Sequence, residues 1–225
     1  MKPKLSENII NFYSKLKIEQ KLPEGVEILN PYGDDEVKKV VNRFYRKYYD
    51  DNDERILVLG INPGRFGAGV TGIPFTDPVQ LEKRCEIINS FDKRPELSSI
   101  FIYRMIEAYG SISGFYKQFY LSSISPLGFI KEGKNLNYYD IKALQEAVYD
   151  FMLQSLKEQL KFGIRKDVCF CLGQGKNFQF LEKLNKKHQL FNKIIPLAHP
   201  RYILQYKRKY VQDYIDEFLL KLAEI

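Results

Sequence analysis

Cysteine is scarce in this chain, with Cys85, Cys169 and Cys171 the only three in 225 residues. They form no Cys-x-x-Cys pair, so neither a disulfide framework nor a paired-cysteine metal site is expected. Cys169 and Cys171 lie two apart on an apolar run, which places both on one face of a strand as core residues. Histidine is scarcer still, with only His188 and His199, too few to assemble a zinc site readily. No metal or cofactor is therefore expected. No apolar stretch approaches the roughly 20 residues of a membrane span. The N-terminal Met-Lys-Pro-Lys-Leu-Ser-Glu is too polar for a secretory signal. A cytoplasmic location without a membrane partner is the expectation. There is no internal repeat, low-complexity tract or long linker, and residues 1–225 read as a single domain that folds as a monomer.

What the chain has in excess is positive charge. The formal net charge is +7, from 35 Lys and Arg against 28 Asp and Glu. Such an excess favours an anionic partner and suits nucleic acid, although it describes association and not fold.

Apolar runs separated by helical patterns organise the rest. Strands are expected at 55–61, 119–124, 168–172 and 193–197. Helices are expected at 7–18 after Ser6, from Asp34 or Asp35 to about 48, and from Asp77-Pro78 to Phe91. Further helices fall at 99–109, 112–118, Asp140 to about Phe162, and 176–187. A C-terminal helix carries Tyr210, Tyr214, Phe218 and Leu222 as one stripe. Strands alternating with helices imply an α/β fold of three layers, α/β/α, around a central, mostly parallel four-stranded sheet.

Function concentrates at the ends of these strands, where open α/β sheets bind their ligands. Ile56-Leu57-Val58-Leu59 delivers Gly60-Ile61-Asn62-Pro63-Gly64 to the sheet edge. Asn62 offers a donor and an acceptor, and Pro63-Gly64 turns the backbone sharply enough to approach a ligand. Ile73-Pro74-Phe75 then supplies a flat aromatic face. An amide beside an aromatic plate is what an enzyme needs to hold a flipped-out base. The last expected strand ends at Ala198-His199-Pro200, which puts a second polar side chain at the same edge. Both Asn62 and His199 are expected to reach a ligand there without supporting the core.

Gly60, Asn62, Pro63, Gly64, Phe66, Gly67, Thr71, Gly72, Pro74 and Phe75 resemble the first motif of the uracil-DNA glycosylase superfamily. The match is nearest its single-strand-selective monofunctional family. His199-Pro200 resembles the start of the second motif. The resemblance implies a metal-free enzyme that flips and excises uracil, or another deaminated base, from single- or double-stranded DNA. In it Asn62 positions the attacking water, Phe75 stacks on the base, and His199 stabilises the departing anion. Ile61 and Gly64 would line the base site. The four-cysteine iron–sulfur cluster of some families has no ligands here.

Two departures matter. The family pattern continues His-Pro-Ser-Pro-Arg-Asn, whereas this chain has Arg201-Tyr202-Ile203-Leu204. Arg201, Tyr202 or Leu204 could fill the hole left by the extruded base. Lys207, Arg208 and Lys209 follow, suited to phosphate contacts or to a solvated basic turn. The family also reads uracil with an Asn in an Asn-x-x-Pro-Leu segment, and anchoring on Pro126-Leu127 puts Ser123 there, with backbone near Ser125 sharing the task.

Other strings point elsewhere only weakly. Gly67-Ala-Gly-Val-Thr-Gly72 matches a dinucleotide fingerprint but neither follows a strand directly nor opens an amphipathic helix. Gly173-Gln174-Gly175-Lys176 reads as a strand-to-helix turn, Phe66 as core support, and His188 as solvated. The alternatives to a glycosylase are a hydrolase of free nucleosides or nucleotides and a non-catalytic DNA-binding module.

Overall fold

A computed structural model describes residues 3–224. Its centre is a sheet of four strands in the order β3–β2–β6–β7, all parallel: β2 Arg55–Gly60, β3 Phe119–Ser123, β6 Ile164–Leu172 and β7 Lys193–Leu197. Every residue of β2 and β3 is buried, as the covered faces of a parallel sheet require. Even Arg55 is buried. It forks onto Asp51 at 2.7 and 3.0 Å, donates to the Tyr116 carbonyl at 2.8 Å, and lies over the Tyr49 ring. A buried guanidinium is tolerable when its donors are met in this way.

Helices flank the sheet. Leu5–Ser14 (α1) and Asp35–Tyr48 (α2) pack together, and their aromatic residues meet Tyr116 and Tyr120. Ala68–Thr71 (α3) and Pro78–Lys83 (α4) follow β2, and Leu97–Tyr109 (α5) and Ile112–Gln118 (α6) precede β3. Between β3 and β6 lie Lys142–Ala147 (α7) and Tyr149–Gln159 (α8); Lys176–His188 (α9) joins β6 to β7. The chain closes with Pro200–Tyr206 (α10) and Val211–Ala223 (α11), both packed on α5.

Several boundaries differ from expectation for definite reasons. The first helix starts at Leu5, so Ser6 lies inside it and donates its hydroxyl to Asp50. The helix after Asp77-Pro78 stops at Lys83, well short of Phe91; Glu86 takes a left-handed conformation (φ 57°) that no helix continues through. The helix expected from Asp140 to Phe162 is two, broken at Val148, and Asp140 turns its carboxylate to the Asn137 N–H instead of capping. Strand β6 begins at Ile164, before the polar triplet Arg165-Lys166-Asp167. Tyr210 stands in a 3-10 turn outside α11, 43% exposed, and does not belong to the buried stripe.

A second sheet went unforeseen. Val26–Leu29 (β1), Gly128–Lys131 (β4) and Lys134–Leu136 (β5) form an antiparallel sheet in the order β1–β4–β5. Its β4–β5 hairpin turns through Glu132 (φ 50°) and Gly133 (φ 68°), the paired positive φ of a tight hairpin turn.

The three cysteines are buried and free. Burial pushes the Cys85 thiol up to about 11 and the Cys171 thiol up to about 12, and raises Cys169 well above its ordinary value.

Candidate active site

The carboxyl ends of β2, β3 and β7 meet at a cavity of about 110 Å³. That is well below the roughly 300–1,000 Å³ of pockets for drug-sized ligands, so one small planar ring fits and a whole nucleotide does not. Ile61, Asn62, Gly64, Phe75, Ser123, His199 and Arg201 all line it.

Asn62 follows β2 directly. Its Oδ1 accepts the Tyr138 N–H at 3.1 Å, and its Nδ2 donates to the Leu136 carbonyl at 3.2 Å and the Pro63 carbonyl at 3.3 Å. Both amide protons are thereby committed, which leaves one lone pair on Oδ1 as the free functional group. That lone pair can accept a hydrogen bond from a water and so fix which way the water's own lone pair points. The bonds also correct the expectation that Asn62 supports nothing: it clasps the segment after β5 to the end of β2.

Phe75 is half-buried and adopts φ 56°, a region that costs a bulky residue of order 1–3 kcal/mol. The edge of the ring abuts Gly60. A Cβ on Gly60 would stand 2.8 Å from Phe75 Cε2 and closer still to Cζ, with Ser123 Oγ at 3.5 Å. The anchors of the strained turn are buried. Thr71 donates to the Thr76 carbonyl at 2.6 Å, and the Thr76 hydroxyl meets Tyr103 at 3.0 Å. Asp77 accepts from the N–H groups of Val79, Gln80 and Glu96, and its own N–H donates to Ser99.

His199 ends the segment after β7 and caps α10: the Arg201 N–H donates to its Nδ1 at 3.2 Å. With Nδ1 an acceptor, the neutral ring carries its proton on Nε2 and becomes a donor. Burial, with a smaller contribution from the Arg201 charge, pushes the imidazole down to about 4. The cavity therefore holds a neutral hydrogen-bond donor at ordinary pH. Like Asn62, His199 also supports local structure, through its cap.

Ser123 closes β3 opposite Gly60 and lines the cavity. Ser125 does not. It is fully buried, and its hydroxyl donates to the Leu127 carbonyl at 2.7 Å, so any contribution near it falls to backbone. After His199, Arg201 and Tyr202 are exposed, whereas Leu204 is buried and cannot serve as a wedge. Lys207, Arg208 and Lys209 lie beyond the cavity between α10 and α11; Lys207 stands near Asp213 and Glu217. His188 meets the Tyr149 hydroxyl at 3.1 Å and is absent from the lining. Phe66 is half-buried beneath two cations, Arg65 and Arg94, 4.5 and 4.4 Å from its centroid.

Glu96, Ser98, Asn135 and Asn137 also line the cavity and were not foreseen. Glu96 caps α5 by accepting the Ser99 N–H, and Asn135 Oδ1 accepts the Arg65 N–H. The alternation of Asn135 and Asn137 about Leu136 was the one sequence signal for them. Among the described residues no three or more His, Cys, Asp or Glu side chains gather as metal ligands.

Two outcomes are expected. Gly60→Ala should destabilise the fold by about 1–3 kcal/mol through overpacking against Phe75, and Gly60→Ala/Phe75→Ala should recover part of the loss; additive losses in thermal melts would contradict the contact. For His199, the folded value lies below the unfolded one. The unfolded state therefore binds the extra proton, and stability contributed by the neutral ring is lost as pH falls from about 6.5 towards 4. NMR titration should find this imidazole neutral at pH 5.5, with a titration near about 6.5 the contrary result.

A family model described as the uracil DNA glycosylase superfamily matches residues 46–223. The crystal structure of wild-type SMUG2 from Pedobacter heparinus is similar at 46% identity and a TM-score of 0.95, over 98% of this chain and 97% of that one. No curated protein matches significantly. The parallel sheet and the site at its edge thus sit in a known frame, and the chain belongs to the uracil DNA glycosylase superfamily as a uracil-DNA glycosylase.

Proposed function

We propose that the cavity receives a base flipped out of DNA and that Asn62, Phe75 and His199 divide the chemistry of its release. The observation that supports this most is their convergence on one cavity the size of a single ring, Asn62 and His199 from the ends of β2 and β7 and Phe75 from the turn between α3 and α4. Phe75 gives the base a plate to stack on, a contact worth roughly 1–3 kcal/mol in single-strand binders. The free Oδ1 lone pair of Asn62 orients a water towards the sugar carbon. As the glycosidic bond breaks, negative charge grows on the base, and the Nε2–H of His199 donates to it. A neutral donor loses no proton to the base and is worth roughly 2.7–4 kcal/mol in comparable anion holes.

The cavity lining contains no lysine. That supports a monofunctional enzyme, which leaves an abasic site and does not cut the strand, since cutting by elimination needs an amine nucleophile. Arg201, Tyr202, Lys207, Arg208 and Lys209 are proposed DNA contacts, the basic ones to phosphates. A monomer acting in the cytoplasm as one domain over 1–225 completes the reading. One continuous core from Leu5 to Leu222 supports the single domain, and no helix among the described residues is long and apolar enough to cross a membrane.

The deciding experiment is a uracil oligonucleotide assay with alkaline treatment. Strand breaks should appear only after alkali, persist in excess EDTA, and decline as salt rises through counterion release. Asn62→Ala and His199→Ala should slow single-turnover release by at least about 100-fold. Asn62→Ala should also lower the melting temperature, because it strands the Tyr138 N–H and the Leu136 carbonyl. Release at the wild-type rate would remove that residue from the mechanism.

Ser123 bears on base choice, including whether xanthine and hypoxanthine join uracil as substrates. A neutral hydroxyl contributes only about 0.5–1.5 kcal/mol net, and water or backbone can replace it. Ser123→Ala should therefore harm release far less than Asn62→Ala. Ser123→Asn should alter the preference among the three bases, measured side by side on matched oligonucleotides. Equal damage from Ser123→Ala and Asn62→Ala would place Ser123 in the catalytic centre instead.

A further inference from the structure

Beside the cavity, and sharing Ile61, Asn137, His199 and Arg201 with it as a common wall, runs an open groove of about 610 Å³. Its lining is unusual in two respects. It contains Lys176 and Arg201 but no Asp or Glu. It also displays three tyrosine rings. Tyr202 and Tyr206 stand one helical turn apart on α10, with ring centroids 5.7 Å apart, and are 43% and 67% exposed. Tyr139 faces them from the segment after β5, with Lys176 Nζ 5.9 Å from its centroid. Tyrosines on a solvated helix face would gain more by burying their rings; here the rings remain open to a ligand.

We propose that this groove is a second nucleobase site, which takes the unpaired base next to the excised one and stacks it on Tyr202 and Tyr206. The inference rests on the proposed reading of the cavity, because the shared wall fixes which nucleotide reaches the groove. A strand whose uracil occupies the cavity passes Arg201 directly, so the adjoining sugar-phosphate enters the groove between two cations. Every base presents a π-face, so the site reads the presence of a base and not its identity. A base still paired and stacked in a duplex cannot make this contact. The groove therefore makes these two tyrosines determinants of preference for unpaired DNA around the lesion.

The chain has no tryptophan, so Tyr206→Trp places a single indole reporter in the groove. Titration with oligothymidylate lacking uracil should quench its fluorescence saturably. An abasic oligomer with the same number of phosphates should bind through charge alone and leave the emission unchanged. Equal quenching by both, or binding of oligothymidylate detected by anisotropy without quenching, would overturn the proposal. In single-turnover assays on single strands, replacing the bases that flank uracil with abasic sugars should slow the wild type about tenfold. Tyr202→Ala/Tyr206→Ala should be about tenfold slower on the normal strand and indifferent to the flanking bases. Tyr202→Phe/Tyr206→Phe, which keeps both rings, should retain the slower release from strands with abasic flanks. Continued discrimination by the double alanine variant would refute the site. If no uracil is released from any strand, the reading of the cavity fails, while the fluorescence titration still judges the groove.

Discussion

A phenylalanine ring whose edge abuts a glycine, in a backbone conformation that phenylalanine avoids, fixes the geometry around which the site is arranged. Gly60 ends a strand buried on both faces, and the missing side chain there is the space that the Phe75 ring occupies. A positive φ at Phe75 persists only because its surroundings over-determine it. The hydroxyl of Thr71, the pair Thr76–Tyr103 and the fully engaged Asp77 carboxylate do so from below. The plate is therefore in place before any ligand arrives, and binding need not order it.

The same economy governs the small antiparallel sheet. By itself, a four-residue strand paired with a short hairpin is barely stable in water. Here it is joined to the parallel sheet through Asn62, which clasps residues 136–138, and Tyr138 passes the link onward. Its hydroxyl donates to Asn177 Oδ1 at 2.8 Å, and Asn177 donates to the Leu172 carbonyl at 3.0 Å. A chain of hydrogen bonds thus crosses the crevice from the end of β2 to the end of β6. The residue proposed to orient the water and the residues that span the crevice belong to one network.

How far this was legible in the sequence depends on where each signal lies. The four parallel strands announce themselves as apolar runs because both of their faces are covered. The start of β6 does not, since Arg165, Lys166 and Asp167 interrupt the run where the strand bulges out of register with β2 between the Arg55–Ile164 and Leu57–Cys169 pairs. The antiparallel sheet is hidden because Val26–Leu29 is short and half-exposed, and because Glu132-Gly133 is not the Asn-Gly or Asp-Gly pair that marks a tight hairpin. Asn62, Ser123 and His199 could be found because each sits at or just beyond a strand end, and Phe75 because it belongs to the same local pattern that begins at Gly60. Glu96 and Ser98 could not, since they reach the cavity only through tertiary packing of distant segments, and Asn135 and Asn137 left only their alternation about Leu136 as a signal. Even the residues that were found concealed a second role: nothing local tells that the Asn62 amide is already hydrogen-bonded or that His199 is a helix cap.

The buried cysteines carry a consequence of a different kind. Oxidants and alkylating agents attack thiolates, and a thiol held protonated by burial offers them neither charge nor access. All three thiols in this chain are in that state. Oxidative stress injures DNA and, in the same cell, inactivates proteins that depend on reactive thiols. A repair enzyme built without a reactive thiol has no chemical fuse of that sort.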